Sequence, residues 1–241
     1  MLNEVKHGTA NSLMTEVSDH KSRLLAYFDG LGFERWSAIY GDAEVSRIRR
    51  TIRQGHARML ALAEQWICEG AGEAGTGAQV LDAGCGTGLC GPLLRPYARR
   101  LEGVDLSQGM LDRALLRGTY DELRCVELVA DLQRHSGRWD LLVSADTLCY
   151  FGRLEAFAAA AAASLRPDGL LVFTVEALDE AAPEPQFKLQ MHGRYSHRRG
   201  YVVEALAGAG LDAFELQPVV LREEGKKPVH GWLVCARAAA R

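Results

Sequence analysis

The chain has 241 residues, 48% of them hydrophobic and 24% charged, with a formal net charge of −3. That length can bury a substantial core as one large domain, or as a domain with an arm. The composition is that of a soluble globular protein and the weak negative charge excludes a general affinity for nucleic acid. Residues 1–20 are polar and mixed, lack the long apolar core of a secretory signal, and are expected to be a flexible N-terminus. Residues 21–40 hold two short helical pieces around Asp29-Gly30-Leu31-Gly32. Residues 43–67 read as one amphipathic helix. Val45, Ile48, Ile52, Met59, Leu62 and Trp66 fall near helical spacing, and Arg47, Arg49, Arg50, Arg53 and Arg58 occupy the other faces. The glycine-rich stretch 69–77 reads as a linker, so the expected division is a helical arm with linker over 21–77 and a domain over 78–241.

Beyond residue 77, strands and helices alternate. A buried strand over 79–83 is followed by a helix over 90–97 interrupted early by Pro92. A second strand at 100–105 leads to a helix at 108–117, and a third strand is expected at 123–130. A fourth strand at 139–145 precedes an alanine-rich helix at 154–165. The turn Arg166-Pro167-Asp168-Gly169 leads into a fifth strand at 170–176. An irregular stretch at 178–198, a helix at 199–209 ending at Gly210, and two strands at 214–223 and 229–236 complete the chain. This alternation predicts an α/β fold with a doubly wound, Rossmann-like, seven-stranded sheet. The short link between the last two strands makes them a terminal antiparallel hairpin. The six cysteines, Cys68, Cys85, Cys90, Cys125, Cys149 and Cys235, form no C-x-x-C pair. They read as free thiols in a reducing cytosol, with no metal site. The most apolar run, 156–165, is shorter than the about 20 residues that span a bilayer, which predicts a cytoplasmic protein and leaves peripheral membrane contact open.

The stretch VLDAGCGTGLCG, residues 80–91, places glycines between the first strand and its helix, where such sheets bind nucleotide-like ligands. Its register is Gly84-x-Gly86-x-Gly88, and Leu89 stands where a dinucleotide fingerprint needs its third glycine. Asp82 precedes the loop. A pyrophosphate would be repelled there, whereas a ligand with an amino group and a sulfonium would be attracted. Asp105 ends the second strand, where a carboxylate can accept both ribose hydroxyls. Asp131 is expected at the end of the third strand, where it can accept from an adenine amino group.

In order along the chain, VLDAGCGTG, LEGVDLS, VADL, WDLLVSADTL and LRPDGLLVFTVE resemble the motifs of class I S-adenosylmethionine-dependent methyltransferases over about residues 78–238. The resemblance implies that the cofactor is S-adenosylmethionine. Asp82, Gly84, Cys85, Gly86 and Gly88 would hold its methionine end, Asp105 and Leu106 its ribose, and Asp131 and Leu132 its adenine, with Ala145 at the end of the fourth strand completing the set. Within it, about residues 24–88, with YFDGLGFERWSAIYGD and EVSRIRRTIRQGH, resemble magnesium-protoporphyrin IX O-methyltransferases of chlorophyll and bacteriochlorophyll synthesis. That implies esterification of a porphyrin propionate, an arm that covers the active site, a role for Tyr27 in activity, and contact with magnesium chelatase. From Leu89 on, GLCGPLLRPYARRLEGVDLSQGMLDRA, ADTLCYFG and GRYSHRRGYV are closer to bacterial class I methyltransferases of the tetratricopeptide-associated type.

A carboxylate acceptor is already ionised near neutral pH, so positioning matters more than a strong base. Porphyrin carboxylates call for cationic anchors such as Arg35, Arg49, Arg53 or His56, and Phe28, Phe33 and Trp36 can cover a flat ring. Cys149 stands where the porphyrin family has a histidine, and cysteine does not replace an imidazole near neutral pH. After the fifth strand, where a substrate lid is common, Tyr195 and His197 are the candidates for substrate contact and catalysis, with His192 nearby. His230 reads as structural. A different small-molecule or protein acceptor, or a non-catalytic cofactor- or porphyrin-binding module, are the alternatives.

Overall fold

Neighbouring apolar residues along each strand point to opposite faces, and this pairing builds two cores on one sheet. In the computed structural model, residues 54–59, 61, 64, 77–179, 185–224 and 227–239 are described. The parallel strands are β1 (Ala78–Ala83), β2 (Ala98–Asp105), β3 (Glu122–Cys125), β4 (Trp139–Ser144) and β5 (Leu165–Ala177), in the order β3-β2-β1-β4-β5. The last two strands, β8 (Leu211–Glu224) and β9 (Lys227–Ala238), form the expected hairpin, and β9 adds antiparallel to β5 over Leu170–Glu176. All seven expected strands are present. A further short hairpin, β6 (Phe187–Leu189) and β7 (Tyr195–His197), lies within the stretch expected to be irregular. Ser196 and His197 pair with Glu176 and Ala177, so β7 continues along the edge of β5 that β4 leaves at Ser144.

On one face Leu81, Val104, Leu142, Leu171, Phe173 and Val234 pack beneath α3 (Leu128–Arg134), α4 (Glu155–Ser164) and α5 (Arg199–Gly208). The alanines of α4 keep its backbone close to the sheet, and Phe157 anchors it. On the other face Val80, Leu101, Leu141, Val143, Val172 and Leu233 pack with Cys90 and Leu94 of the short α1 (Gly91–Leu94), and with Met59 of the helical segment at 54–59. Burying each such side chain contributes about 1.5–3 kcal/mol. The remaining helix, α2 (Gln108–Leu115), is capped by Ser107, whose hydroxyl accepts from the Met110 N–H.

Two expectations are corrected. The third strand ends at Cys125 rather than reaching residue 130. Glu127 accepts from the Val129 and Ala130 amides and caps α3, so Asp131 and Leu132 are helical. The valines at 126 and 129 gave that stretch its strand-like look, but the cap and the spacing of Leu128, Asp131 and Leu132 make it a helix. Second, residues 166–169 do not form a free turn. They belong to β5, with a register shift against β4 and Asp168 in the left-handed region at φ 62°. No helix among the described residues is long and apolar enough to cross a membrane.

Candidate cofactor and acceptor site

The glycine loop leaves β1 at its carboxyl end and folds back under β2. The amides of Gly84 and Cys85 both donate to the Val104 carbonyl, and Gly84, Gly86 and Gly88 all have positive φ. Two of these glycines are fixed by neighbours: a Cβ at Gly84 would meet the Thr147 side chain, and one at Gly88 would meet Tyr120 and Ala114. Gly86 differs, because a Cβ there would project into open space. Its amide donates to Asp105 Oδ2 at 2.9 Å, and the Ser107 amide donates to Asp105 Oδ1 at 2.9 Å. Asp105 thus ties the loop to the end of β2 and is half-buried at the rim beside Leu106. Thr87 Oγ1 is buried and makes no hydrogen bond within the protein. Asp82, 2% exposed, accepts from the Tyr120 hydroxyl at 2.6 Å. Burial pushes its carboxyl up to about 6, against the Tyr120 hydrogen bond and the nearby His56, with Asp105 adding to the rise. A buried carboxylate of this kind is stabilised by a cation. Open space at Gly86, the orphaned Thr87 hydroxyl and Asp82 together fit a ligand with a positively charged end and a ribose.

The ends of β4 and β5 carry a different structure. Asp146 follows β4 with φ 52°, a backbone state uncommon outside glycine, and its amide donates to Thr174 Oγ1. Its carboxylate accepts from His56 Nε2 at 3.1 Å and lies 3.5 Å from Arg222 Nη1. Arg222, 5% exposed on β8, also pairs with Glu176 Oε1 and donates to Glu224 Oε1 at 2.8 Å. Arg194 donates to Glu176 Oε1 at 2.7 Å and pairs with Glu224. His192 Nε2 lies 3.6 Å from Glu176 Oε2. Burial alone would raise the Asp146 carboxyl, but the His56 bond and charge, with Arg222 and Arg194, hold it below its ordinary value. Burial opposes a charged His56, yet Cys90 at its Nδ1 and Asp146 at its Nε2 raise its pKa well above the usual imidazole range. His56 reaches this position because Gly55 lies against β8: a Cβ there would be 2.1 Å from the Leu221 carbonyl oxygen.

Of the expected cofactor residues, the structure gathers Asp82, Gly84, Gly86, Gly88, Asp105 and Leu106 at one rim, with Ala145 buried where β4 ends and Thr147 donating to the Gly84 carbonyl. Cys85 contributes backbone only. Its thiol is buried against Gly103, and burial pushes it well above its ordinary value. Asp131 and Leu132 are corrected. Both Asp131 oxygens accept from Arg124 at 3.0 Å, and Leu132 is fully buried in the core, so neither faces a ligand. Glu127 stands at the end of β3 instead, next to Val126, whose amide donates to the Asp105 carbonyl. A glutamate just before the i, i+3, i+4 pattern of α3 was the signal available for it.

The expected catalytic His197 is also corrected. It is fully buried, its Nε2 lies 3.0 Å from the Gly152 carbonyl, and it stacks on Tyr201. Burial lowers its pKa and favours the neutral imidazole, so it sits in the core as a packing residue. Tyr195 is half-buried against Phe187 and beside Gly152, on the hairpin that flanks the site. Cys149 is buried, donates to the Asp146 carbonyl at 3.2 Å, and burial raises its pKa, so it remains a thiol. Tyr27, Arg35, Trp36 and Arg53 lie outside the described residues, as do the arm before residue 54 and nearly all of the expected linker. Of the cations considered on the arm, Arg35, Arg49 and Arg53 lie outside the described residues, and His56 is placed in the site. Among the described residues no group of three or more histidine, cysteine or acidic side chains is arranged to hold a metal.

A family model described as a methyltransferase domain matches residues 46–213. The chloroplastic magnesium protoporphyrin IX methyltransferase of Arabidopsis thaliana is 34% identical over 135 residues, 54% of this chain and 42% of that protein. The magnesium-protoporphyrin O-methyltransferase of Synechocystis sp. is 29% identical over 144 residues, 58% of this chain and 61% of that protein. The matched segments therefore span less than two thirds of either relative. A crystal structure of magnesium protoporphyrin IX methyltransferase from Synechocystis PCC 6803 with bound SAH shares the fold, with a TM-score of 0.70 at 20% identity, covering 91% of this chain and 100% of that one.

Proposed function

This chain belongs to the methyltransferase-domain family, and on that premise we propose that it transfers the methyl group of S-adenosylmethionine to a propionate carboxylate of a magnesium porphyrin. The observation that carries this reading is the meeting, at one rim of the sheet, of Asp82 and the glycine loop with His56 from the N-terminal segment. Two relatives named for magnesium-porphyrin methylation support the acceptor. The bound cofactor supplies a sulfonium-activated methyl group, which a carboxylate oxygen takes as the C–S bond breaks, with no proton to move.

The residues of this chain bind and orient. Asp82 faces the charged methionine end, the backbone at Gly86 allows close approach, Asp105 and Leu106 take the ribose, and Glu127 replaces Asp131 at the adenine edge. Arg222 and Arg194 are paired with Asp146, Glu176 and Glu224, so they set the shape and field of the acceptor side rather than clamp an incoming anion. Tyr27, Arg35, Trp36, Arg53 and Tyr195 are the proposed acceptor contacts, on an arm over residues 21–77 and on the β6–β7 hairpin. The porphyrin reading brings with it a cytoplasmic protein in peripheral contact with a membrane and with magnesium chelatase, which makes the metallated porphyrin.

The test is incubation with methyl-labelled S-adenosylmethionine and magnesium protoporphyrin IX. Labelled monomethyl ester is the expected product. Tight porphyrin binding without ester would make the chain a non-catalytic module. Neither binding nor ester would assign it a different acceptor.

A further inference from the structure

The ring of Tyr120 lies against the second half of the glycine loop. A Cβ at Gly88 would be 2.9 Å from its Cε2, one at Gly91 2.8 Å from the same atom, and one at Gly103 of β2 3.1 Å from its Cδ1. Tyr120 is the nearest neighbour at Gly88; it shares Gly91 with Thr119, whose Oγ1 would be 2.5 Å from the added Cβ, and Gly103 with Leu123 and Cys85. Its hydroxyl then reaches β1 and donates to Asp82 Oδ2 at 2.6 Å. That bond takes up one carboxylate oxygen and leaves Oδ1 to a ligand.

We infer that Tyr120 is a positioning residue for the cofactor: it supports the loop with its ring, and with its hydroxyl it holds Asp82 ionised and aimed at the positive end of the ligand. The inference rests on the cofactor reading above. Burial and the neighbouring Asp82 push the Tyr120 phenol well above its ordinary value, so it remains a donor wherever Asp82 titrates. A hydrogen bond given to the charged form of a carboxylate favours that form. Asp82 is also faced by His56 from the N-terminal helical segment, Asp105 from β2, and Cys85 and Cys90 from the loop, with Asp146 of the β4 end behind His56. All of these are retained in Tyr120→Phe, which also keeps the ring against the glycines, so the variant isolates the hydroxyl.

The sign follows from the raised carboxyl. Asp82 is ionised above about 6 and neutral below it, so affinity for a cationic ligand falls as pH drops through that value. Two measurements test the inference: the carbon NMR titration of the Asp82 carboxyl in the free protein, and calorimetry with S-adenosylhomocysteine, whose ammonium is the cation, from pH 5 to 8.5. In Tyr120→Phe the titration midpoint is expected to move up by about one pH unit. Affinity is expected to drop about fivefold near the wild-type midpoint and to return towards wild type at pH 8.5. In an Asp82→Asn background, Tyr120→Phe should add no pH-dependent loss. An unmoved midpoint, or a loss equal at every pH, would overturn the inference and leave Tyr120 a packing residue. Wild-type protein that binds no S-adenosylhomocysteine at any pH would overturn the cofactor reading instead. The carboxyl titration needs no ligand, and it would still support or overturn the coupling of Tyr120 to Asp82.

Discussion

The carboxyl ends of β1 and β2 and the carboxyl ends of β4 and β5 share one sheet but are built by different means. At the first, short stretches of contiguous sequence do the work. Residues 82–88 and Asp105 fold onto one another through backbone amides and a single carboxylate, with Tyr120 as support. At the second, His56, Asp146, Glu176, Arg194 and Arg222 come from remote parts of the chain into one ion network, with the half-exposed Glu224 at its edge. The first arrangement leaves open space and a carboxylate suited to a cation. The second is internally compensated and presents a fixed field. The difference suits a donor site that must admit one ligand chemistry and an acceptor side that must hold its shape.

Five variants probe that contrast. Arg222→Ala should have the largest effect, costing about 3–5 kcal/mol of stability, because it leaves Asp146 and Glu176 enclosed beside a missing charge, with the more exposed Glu224 at the edge. Chemical denaturation measures it, and a loss below about 1 kcal/mol would mean that the network is solvated. Gly55→Ala forces a methyl group into the Leu221 carbonyl and should displace His56 from Asp146. Ester formation is expected to fall about 100-fold, as misplacement of about 1 Å can cost that much. Binding of S-adenosylhomocysteine at pH 8 should hold within about threefold, and equal losses in both assays would erase the division between the two sides.

Glu127→Ala and Asp131→Asn test the reassigned adenine edge. The first should weaken cofactor binding about tenfold, as expected for one hydrogen bond to a charged group. The second should leave binding unchanged while destabilising the pair with Arg124. The reverse pattern in calorimetry would restore Asp131. Cys149→Ser should have the smallest effect, with turnover within about twofold of wild type, since a hydroxyl can keep the bond to the Asp146 carbonyl and the thiol does not ionise. Loss of activity in steady-state assays would give this position a direct role.

The β–α alternation, the seven main strands, the terminal hairpin and the Asp82–Gly88 and Asp105 elements were legible because each depends on neighbours in sequence. The strand and helix at 122–134 were misjudged where valines at 126 and 129 masked a glutamate cap. His197 looked like a lid residue because its strand has three residues, too few to show alternation. Pairing with Ala177 and stacking on Tyr201 put it in the core. Tyr120 was hidden in a loop, although Gly88 and Gly91, where a Cβ would meet its ring, were part of its trace in the sequence. His56 carried a local sign as well, since a glycine inside an amphipathic helix often marks a close approach, and Gly55 is one. The ion network left no such trace, because its members meet only after the sheet has formed.

The central claim, that the glycine loop and Asp105 form a site for a sulfonium cofactor, is tested most directly by calorimetry of S-adenosylhomocysteine binding at pH 8, to the wild-type chain and to Asp105→Ala. The account predicts one saturable site per chain in the wild type and an affinity at least about tenfold weaker in the variant, because a carboxylate shared between the loop and two ribose hydroxyls is lost. Wild-type protein with normal thermal unfolding that binds nothing, or a variant that binds as tightly as the wild type, would contradict it.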